Sequence, residues 1–169
     1  LKGKLGIGRK DSLSGRNFNK KILHHSHHPN RNLVAIGAYK NDDAGSNAGH
    51  VRVYEWCPQV NYVCLQANTW QQKGGDIDGE DAFDQAGIAV DLSADGSVLA
   101  VGAKENSASE TKYHAGHVRV YRWSGAAWVQ QGFDIVGEAT GDQFGGWHHL
   151  AMSGDGASVA IGARNNDGA

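Results

Sequence analysis

The chain is poor in proline, cysteine and long apolar stretches, and each shortage excludes a class of structure. It has 169 residues with two prolines and two cysteines. The sequence contains no run of about 18 apolar residues, which is the length that would predict a membrane-spanning helix. Two cysteines are too few for a disulfide scaffold, and the metal-binding pattern Cys-x-x-Cys is absent. The net charge of −2 gives no general attraction to nucleic acid or anionic membranes, so we expect neither partner.

The sequence also lacks the short motifs of common catalytic sites. Neither Gly-x-Ser-x-Gly nor His-Glu-x-x-His occurs. His50 and His117 occupy the same position of a repeated strand, whereas catalysis needs one site rather than several copies. The repeated pairs Asp84-Gln85 and Asp142-Gln143 are interpreted as turn or inter-blade hydrogen bonding. We therefore expect no catalytic residues and no enzymatic activity.

Glycine, by contrast, is abundant, with 24 residues. Interleaved with valine, alanine and tryptophan, it favours many short strands joined by tight turns. The stretch AGHVRVYEW at 48–56 returns as AGHVRVYRW at 115–123, identical at eight of nine positions and 67 residues along (115 − 48). Internal repetition is therefore the first hypothesis.

A second repeated run ends in Gly-Ala. It occurs at 33–38, 98–103 and 158–163 as LVAIGA, VLAVGA and SVAIGA. Such β-branched runs are typical of strands buried on both faces, and the small residues at the end permit close backbone approach. Asp-Gly turns at 93–96 and 153–156 precede two of these runs and predict tight turns between strands. One unit therefore has four strands, which begin near Ile88, Leu99, Val118 and Trp128.

Four short antiparallel strands in roughly 40–60 residues are typical of a propeller blade. We predict an all-β fold with about two and a half such blades. The units are 33–97, 98–157 and the start of a third at 158–169, and residues 57–68 form an insertion at a hairpin tip. Because rings typically need about 4–8 blades, we expect further blades of the same protein.

Residues 1–32 are basic and rich in histidine, and we expect a poorly ordered lead-in or a degenerate blade strand. The run HHSHH at 24–28 brings four imidazoles together. Adjacent side chains of a strand point to opposite faces, so they do not converge on one ion. We expect no physiological metal site there.

The remaining candidates lie where the copies differ. Cys57 and Cys64 both fall in the insertion and could form a local disulfide in an oxidising compartment. Polar loops follow the Gly-Ala runs at 39–47 and 104–114, and Asn41-Asp42-Asp43 is paired with Asn165-Asn166-Asp167 and with Glu105-Asn106-Ser107. The candidate binding residues are Asn41, Asp42, Asp43, Asn47, Glu105 and Asn106. They could bind a ligand or cation, or they could form solvated turns in which Asn and Asp cap their own backbone.

Three features follow the order of one known repeat. Phe144-Gly145, the strand ending in Ile161-Gly162-Ala163 and GHVRVY at 116–121 resemble the FG-GAP repeats of β-propellers over about residues 33–169. That family occurs in integrin α-chain heads and in many secreted or surface proteins. The chain departs from it in two respects: the family proline is Tyr39, Lys104 and Arg164 here, and Phe-Gly is replaced by Ala86-Gly87 in the earlier copy.

Many FG-GAP repeats carry a calcium loop, and its place here holds only Ser-x-Asp-Gly turns. One acidic residue does not supply the roughly 6–8 oxygens that calcium takes. We therefore expect no calcium, no other metal and no cofactor.

The resemblance implies a non-enzymatic recognition or adhesion module, outside the cell or at its surface, with a protein or glycan ligand. The alternative is a lectin-like propeller that stacks sugars on tryptophan. The tryptophans concerned are Trp56, Trp70, Trp123 and Trp128. Their other interpretation is packing between blades.

Overall fold

The computed structural model describes residues 25–27, 33–61, 64–107, 109 and 111–168. Every regular element in these ranges is a β-strand, the sheets are antiparallel, and none closes on itself. The all-β prediction is therefore confirmed. The described residues include no apolar helix of membrane-spanning length. Most of the histidine-rich lead-in, 1–24 and 28–32, lies outside the described residues.

Twelve strands are described. They are β1 His25–His27, β2 Leu33–Ala38, β3 His50–Cys57, β4 Thr69–Gln72, β5 Ile77–Asp78, β6 Ala89–Leu92, β7 Val98–Ala103, β8 His117–Trp123, β9 Trp128–Gln130, β10 Ile135–Val136, β11 Leu150–Met152 and β12 Val159–Ile161. β1 to β5 form the first sheet, β6 to β10 the second, and β11 with β12 the third.

The first two sheets share one pairing pattern. In the first, β1 pairs with β2, β2 with β3, and β3 with both β4 and β5; in the second, β6 to β10 repeat this order. Ala35 faces Val53 in the first sheet, as Ala100 faces Val120 in the second. The predicted boundary between units, at 97/98, falls inside the second sheet. The reason is that the unit defined from the sequence begins at the second strand of each sheet rather than at the first.

The fourth strand differs from the sequence expectation, since it is in two pieces. In the first sheet β4 pairs with the C-terminal half of β3, and β5 pairs with the first residues of β3. Residues 73–76 separate β4 from β5. Gly74 has a φ of 83°, and Gly132 at the same place in the second sheet has a φ of 72°. These left-handed glycines turn the chain out of the ladder and back again. A polar side chain, Asp76 or Asp134, follows each interruption.

Apolar side chains fill the space between consecutive sheets. One cluster combines Leu33, Val51 and Val53 of the first sheet with Val90 and Leu99 of the second. A second cluster lies between the second and third sheets. It includes Ile88, Ala100, Val118 and Leu150, with Met152 and Ile161 packed against it. The sheets are therefore stacked in chain order, each burying one face against the next.

Tryptophan contributes to this stacking. The partly buried Trp128 packs against the first cluster, and its indole Nε1 donates a hydrogen bond to the carbonyl of Lys73 in the neighbouring sheet, at 2.9 Å. The packing interpretation is therefore confirmed for Trp128. Within each sheet the tryptophans pair: ring centroids are 5.6 Å apart for Trp56 and Trp70, and 5.4 Å apart for Trp123 and Trp128.

Close backbone approach at the Gly-Ala ends is also confirmed. A Cβ atom added to Gly37 would collide with the carbonyl oxygen of Gly87, where the chain enters the second sheet. A Cβ atom on Gly102 would collide in the same way with Gly145, where the chain enters the third. Glycine is required at both places because the neighbour is backbone, which cannot rotate aside.

Replacing Gly102 by alanine should lower the free energy of unfolding by on the order of 1–3 kcal/mol, since the sheets would have to move apart. Urea unfolding monitored by tryptophan fluorescence measures the loss. Gly75→Ala is the matched control: its added Cβ would meet nothing within 4 Å, and the change should stay within about 0.5 kcal/mol. Equal stability of the two variants would contradict the assigned contact.

Candidate functional site

The first polar loop is held by its own side chains. Asn41 Oδ1 accepts the backbone N–H of Asp43 at 2.8 Å, and Asp42 Oδ1 accepts that of Asn47 at 2.7 Å. Asn47 has a φ of 50° and its carbonyl accepts the N–H of Gln85 at 3.1 Å. Asp42 and Asp43 are nevertheless exposed. The loop is thus a structured turn that still presents two carboxylates to solvent.

The candidates in the second loop are less accessible. Asn106 is buried, and the Glu105 carboxylate contacts the Lys104 ammonium group. The same carboxylate lies 2.6 Å from His114 Nδ1 and accepts a hydrogen bond from Gln143 Nε2 at 3.2 Å. With three partners, Glu105 has less to offer a ligand than Asp42 or Asp43.

The sequence alignment of the polar loops, which paired Asn41 with Glu105 and with Asn165, is wrong by one residue. The N–H of Asn41 donates to the Ala38 carbonyl at 2.9 Å, and the N–H of Asn106 donates to the Ala103 carbonyl at 3.2 Å. Asn166 Oδ1 accepts the N–H two residues later, as Asn41 Oδ1 does. The three equivalent residues are therefore Asn41, Asn106 and Asn166.

Asp84-Gln85 is a turn that also ties neighbouring sheets together, as its sequence interpretation predicted. The buried Asp84 carboxylate accepts the N–H groups of Glu80 at 3.1 Å and Asp81 at 2.9 Å. Its carbonyl accepts the N–H of Glu105 in the second sheet's loop at 3.3 Å. Asp142 repeats the arrangement, with Ala139 N–H at 2.9 Å and Asn166 Nδ2 at 3.2 Å.

The insertion of the first sheet is closed by a disulfide. Cys57 and Cys64 are bonded, with Cα atoms 5.5 Å apart, and both are buried. Asn61 Oδ1 accepts the Cys64 N–H at 2.8 Å, and the Cys64 carbonyl accepts the Asn61 N–H at 3.0 Å. Residues 62 and 63 lie outside the described residues. The bond anchors the base of the insertion to the end of β3.

A groove of about 440 Å³ lies beside this insertion. Its lining residues are Glu55, Cys57, Asn61, Cys64, Gln71, Gln72, Lys73, Gly74, Trp123 and Gly125. Lys73 Nζ is 3.2 Å from Glu55 Oε2 and 5.0 Å from the centre of the Trp123 ring. The volume is within the roughly 300–1,000 Å³ range of ligand-binding pockets. The groove therefore lies between the insertion of the first sheet and the β8–β9 hairpin of the second.

Beyond the sequence candidates, each of the first two sheets carries the same polar network. In the first, Arg52 Nε and Nη2 donate to the Asp76 carboxylate at 2.6–2.9 Å, and Gln72 Nε2 donates to it at 2.7 Å. The buried His50 points Nδ1 toward Asp76 Oδ2 at 3.8 Å. The Arg52 guanidinium is the main reason that the pKa of Asp76 is lowered.

The second sheet repeats the network with Arg119, Gln130, His117 and Asp134. Arg119 Nε and Nη2 lie 3.1 and 3.3 Å from the Asp134 oxygens, and His117 Nδ1 lies 3.5 Å from Oδ2. The sequence analysis missed this set, although the shared spacing Trp-x-Gln-x-Gly-x-Asp at 70–76 and 128–134 was a signal for it. Its repetition indicates a structural role, as inferred for the two histidines.

The two networks differ in their third acidic group. In the first sheet Asp43 comes within 4.8 Å of the ligand atoms of His50 and Asp76. In the second sheet Glu80 takes that place, and its carboxylate contacts Arg119. His50 Nδ1 is buried and has no hydrogen-bond partner. The first network is therefore incompletely satisfied.

Burial lowers the pKa of both histidines. For His50, the Arg52 charge lowers the pKa further, and nearby carboxylates oppose both effects. For His117, the carboxylates of Asp134 and Asp84 oppose the effect of burial. Both rings are therefore held neutral at pH values where an exposed histidine would begin to protonate.

A comparison with protein-family models finds no matching family, and a search of curated proteins finds no matching sequence. The FG-GAP resemblance therefore stays a prediction.

Replacing both cysteines by serine should lower the free energy of unfolding by about 2 kcal/mol, because the disulfide closes a loop with a sequence separation of 7. Urea unfolding of Cys57→Ser/Cys64→Ser measures the effect. Reduction of the unchanged chain is the control and should also lower the stability, by no more than the serine variant does, because a thiol is less costly to bury than a hydroxyl. An unfolding midpoint that does not respond to reduction would contradict the bridge.

Acidification should destabilise the chain partly through His117. Because the folded-state pKa lies below the ordinary value of 6.5, the unfolded chain binds more protons as the pH falls through that value. The free energy of unfolding should therefore fall below about pH 6.5 and level off below the folded-state pKa. His117→Gln should flatten this dependence, because it removes the group whose pKa is lowered on folding. An unaltered slope in His117→Gln would contradict the buried neutral ring.

Proposed function

We propose that this chain is a non-enzymatic recognition or adhesion module, acting outside the cell or at its surface and built from FG-GAP-like propeller blades. The observation that carries the proposal is the groove beside the disulfide-closed insertion. It lies where the two repeats differ most, and variable segments on a repeated scaffold are where binding specificity resides.

The stacking of the sheets supports the propeller-blade part of the proposal. The face of the second sheet that covers the first contains Leu99 and Val101, both almost fully buried. Their counterparts on the first sheet, Val34 and Ile36, are only half-buried and face away from the second sheet. Equivalent faces pack against each other between the first and second sheets and between the second and third sheets. This one-dimensional repetition is typical of propeller and solenoid arrays.

The disulfide supports the proposed location. Disulfides persist in oxidising environments such as the cell exterior and are rare in the cytosol. Cys57 and Cys64 are bonded and almost fully buried, so the bond belongs to the packed structure rather than to the surface.

The chemistry of the groove favours a polar protein ligand over a stacked sugar. Lys73 and Glu55 place opposite charges side by side at 3.2 Å, and amide side chains of Gln71 and Gln72 line the same surface. Trp123 is the aromatic group that a sugar would stack on, but the Lys73 ammonium group already lies over its ring at 5.0 Å. The lectin-like alternative requires Lys73 to move away first.

A photo-crosslinking residue placed at Gln71 tests the proposal. Gln71 lines the groove and pairs with Glu55, and Val129 pairs with Arg122 at the same place of the second sheet. With secreted and cell-surface proteins as prey, the residue at 71 should capture a partner that the residue at 129 does not. Lys73→Glu should reduce that capture, because it replaces the groove's cation with an anion.

Equal capture from both positions, or from neither, would contradict the assignment of the groove. A glycan array that gives a signal while no protein is captured would favour the lectin-like alternative instead.

A further inference from the structure

We propose that Asp43, His50 and Asp76 bind a divalent transition-metal ion such as Zn²⁺ or Co²⁺. One ligand atom from each residue lies within 4.8 Å of the other two. Asp43 comes from the loop before β3, His50 begins β3, and Asp76 follows the interruption of the fourth strand. None of the three residues lines the groove, so failure of the metal site would leave the proposed recognition function untouched.

The unsatisfied imidazole is the observation that points to a ligand. The His50 side chain is 4% exposed, and its Nδ1 atom is buried without a hydrogen-bond partner. A buried polar atom without a partner typically costs about 1–3 kcal/mol. Nδ1 faces Asp76 Oδ2 at 3.8 Å, too far for a hydrogen bond. A cation held between this nitrogen and the carboxylates would satisfy all three groups.

The charge of the site is compatible with a cation. The Asp43 and Asp76 carboxylates outweigh the single positive charge of Arg52. Arg52 donates three hydrogen bonds to the Asp76 oxygens and Gln72 donates one. The ion would therefore bind a carboxylate that keeps these hydrogen bonds. Asp43 is exposed and lies in a loop, which allows the small approach that bonds of about 2.0–2.2 Å require.

The donor set selects the class of metal. One imidazole nitrogen with two carboxylates suits zinc and other first-row transition metals, whereas calcium takes roughly 6–8 oxygens and magnesium favours oxygen ligands. The site is therefore distinct from the calcium loop expected of FG-GAP repeats, both in its ligands and in its place on the sheet.

The second sheet provides a natural comparison within the same chain. His117 and Asp134 correspond to His50 and Asp76 in the repeat. The third acidic group there is Glu80, and Arg119 contacts both Glu80 and Asp134. The guanidinium thus occupies the carboxylates that a metal would need. Among the residues that the structure describes, we therefore assign the metal site to the first sheet.

The test is a metal titration of the full chain with its disulfide intact. The histidine run at 24–28 would compete for metal, so the parent protein carries serine at His24, His25, His27 and His28. After treatment with EDTA and its removal, Co²⁺ is added and its visible absorption followed; Zn²⁺ is then added to displace it. One saturable equivalent is expected, together with a rise in the thermal midpoint.

Single substitutions locate the site. Asp43→Asn and His50→Gln should each weaken binding at least about tenfold, since a neutral amide oxygen is a weaker ligand for these metals than a carboxylate or an imidazole. His117→Gln is the matched control and should bind as the parent does. Asp43 is exposed, so Asp43→Asn keeps the test decisive if His50→Gln does not fold. Absence of saturable binding at millimolar Co²⁺ would overturn the proposal, as would unchanged affinity in Asp43→Asn or equal loss in His117→Gln.

Discussion

The carbonyl oxygen of Gly87 lies where a side chain on Gly37 would begin, and Gly145 stands in the same relation to Gly102. These two contacts determine how closely each sheet can approach the next. With the backbones this near, side chains as small as Ala35 and Val51 are almost fully buried in the cluster between the sheets. A larger residue at Gly37 or Gly102 would push the neighbouring backbone away at that contact, so each apolar cluster depends on the glycine beside it.

The interrupted fourth strand is the second constraint, and it has a polar consequence. Once Gly74 or Gly132 turns the chain out of the ladder, the next aspartate is brought over the arginine of the central strand. The aspartates remain 26% and 28% exposed, so solvent screens the ion pairs and each contributes only modestly to stability. Their greater effect is on geometry, because four hydrogen bonds hold the Asp76 carboxylate in one orientation.

The strands were predictable from sequence where a repeated apolar run marks them, as at 33–38 and 98–103. Burial on both faces is found at 98–103, whereas one face of 33–38 is only half-buried. The network was not, because Arg52 and Asp76 are 24 residues apart and meet only through the split of the fourth strand. The loop pairing failed by one residue because short polar segments carry no periodic burial to align them. The bond between Cys57 and Cys64 stayed open at the sequence level, since spacing alone does not show whether two side chains face each other.

The two near-identical polar networks differ in their third acidic group. This difference gives the histidine of each network a different environment. In the second sheet Arg119 contacts Glu80 as well as Asp134, so the arginine is shared between two carboxylates. In the first sheet Arg52 is committed to Asp76, and Asp43 approaches a histidine whose nitrogen has no partner. The common residues hold the strand. The third acidic group, which is Asp43 before β3 or Glu80 after β5, decides whether the adjoining space holds an unsatisfied imidazole or an ion pair. Divergence at this acidic group can therefore change the chemistry of a sheet without disturbing its packing, because neither Asp43 nor Glu80 belongs to an apolar cluster.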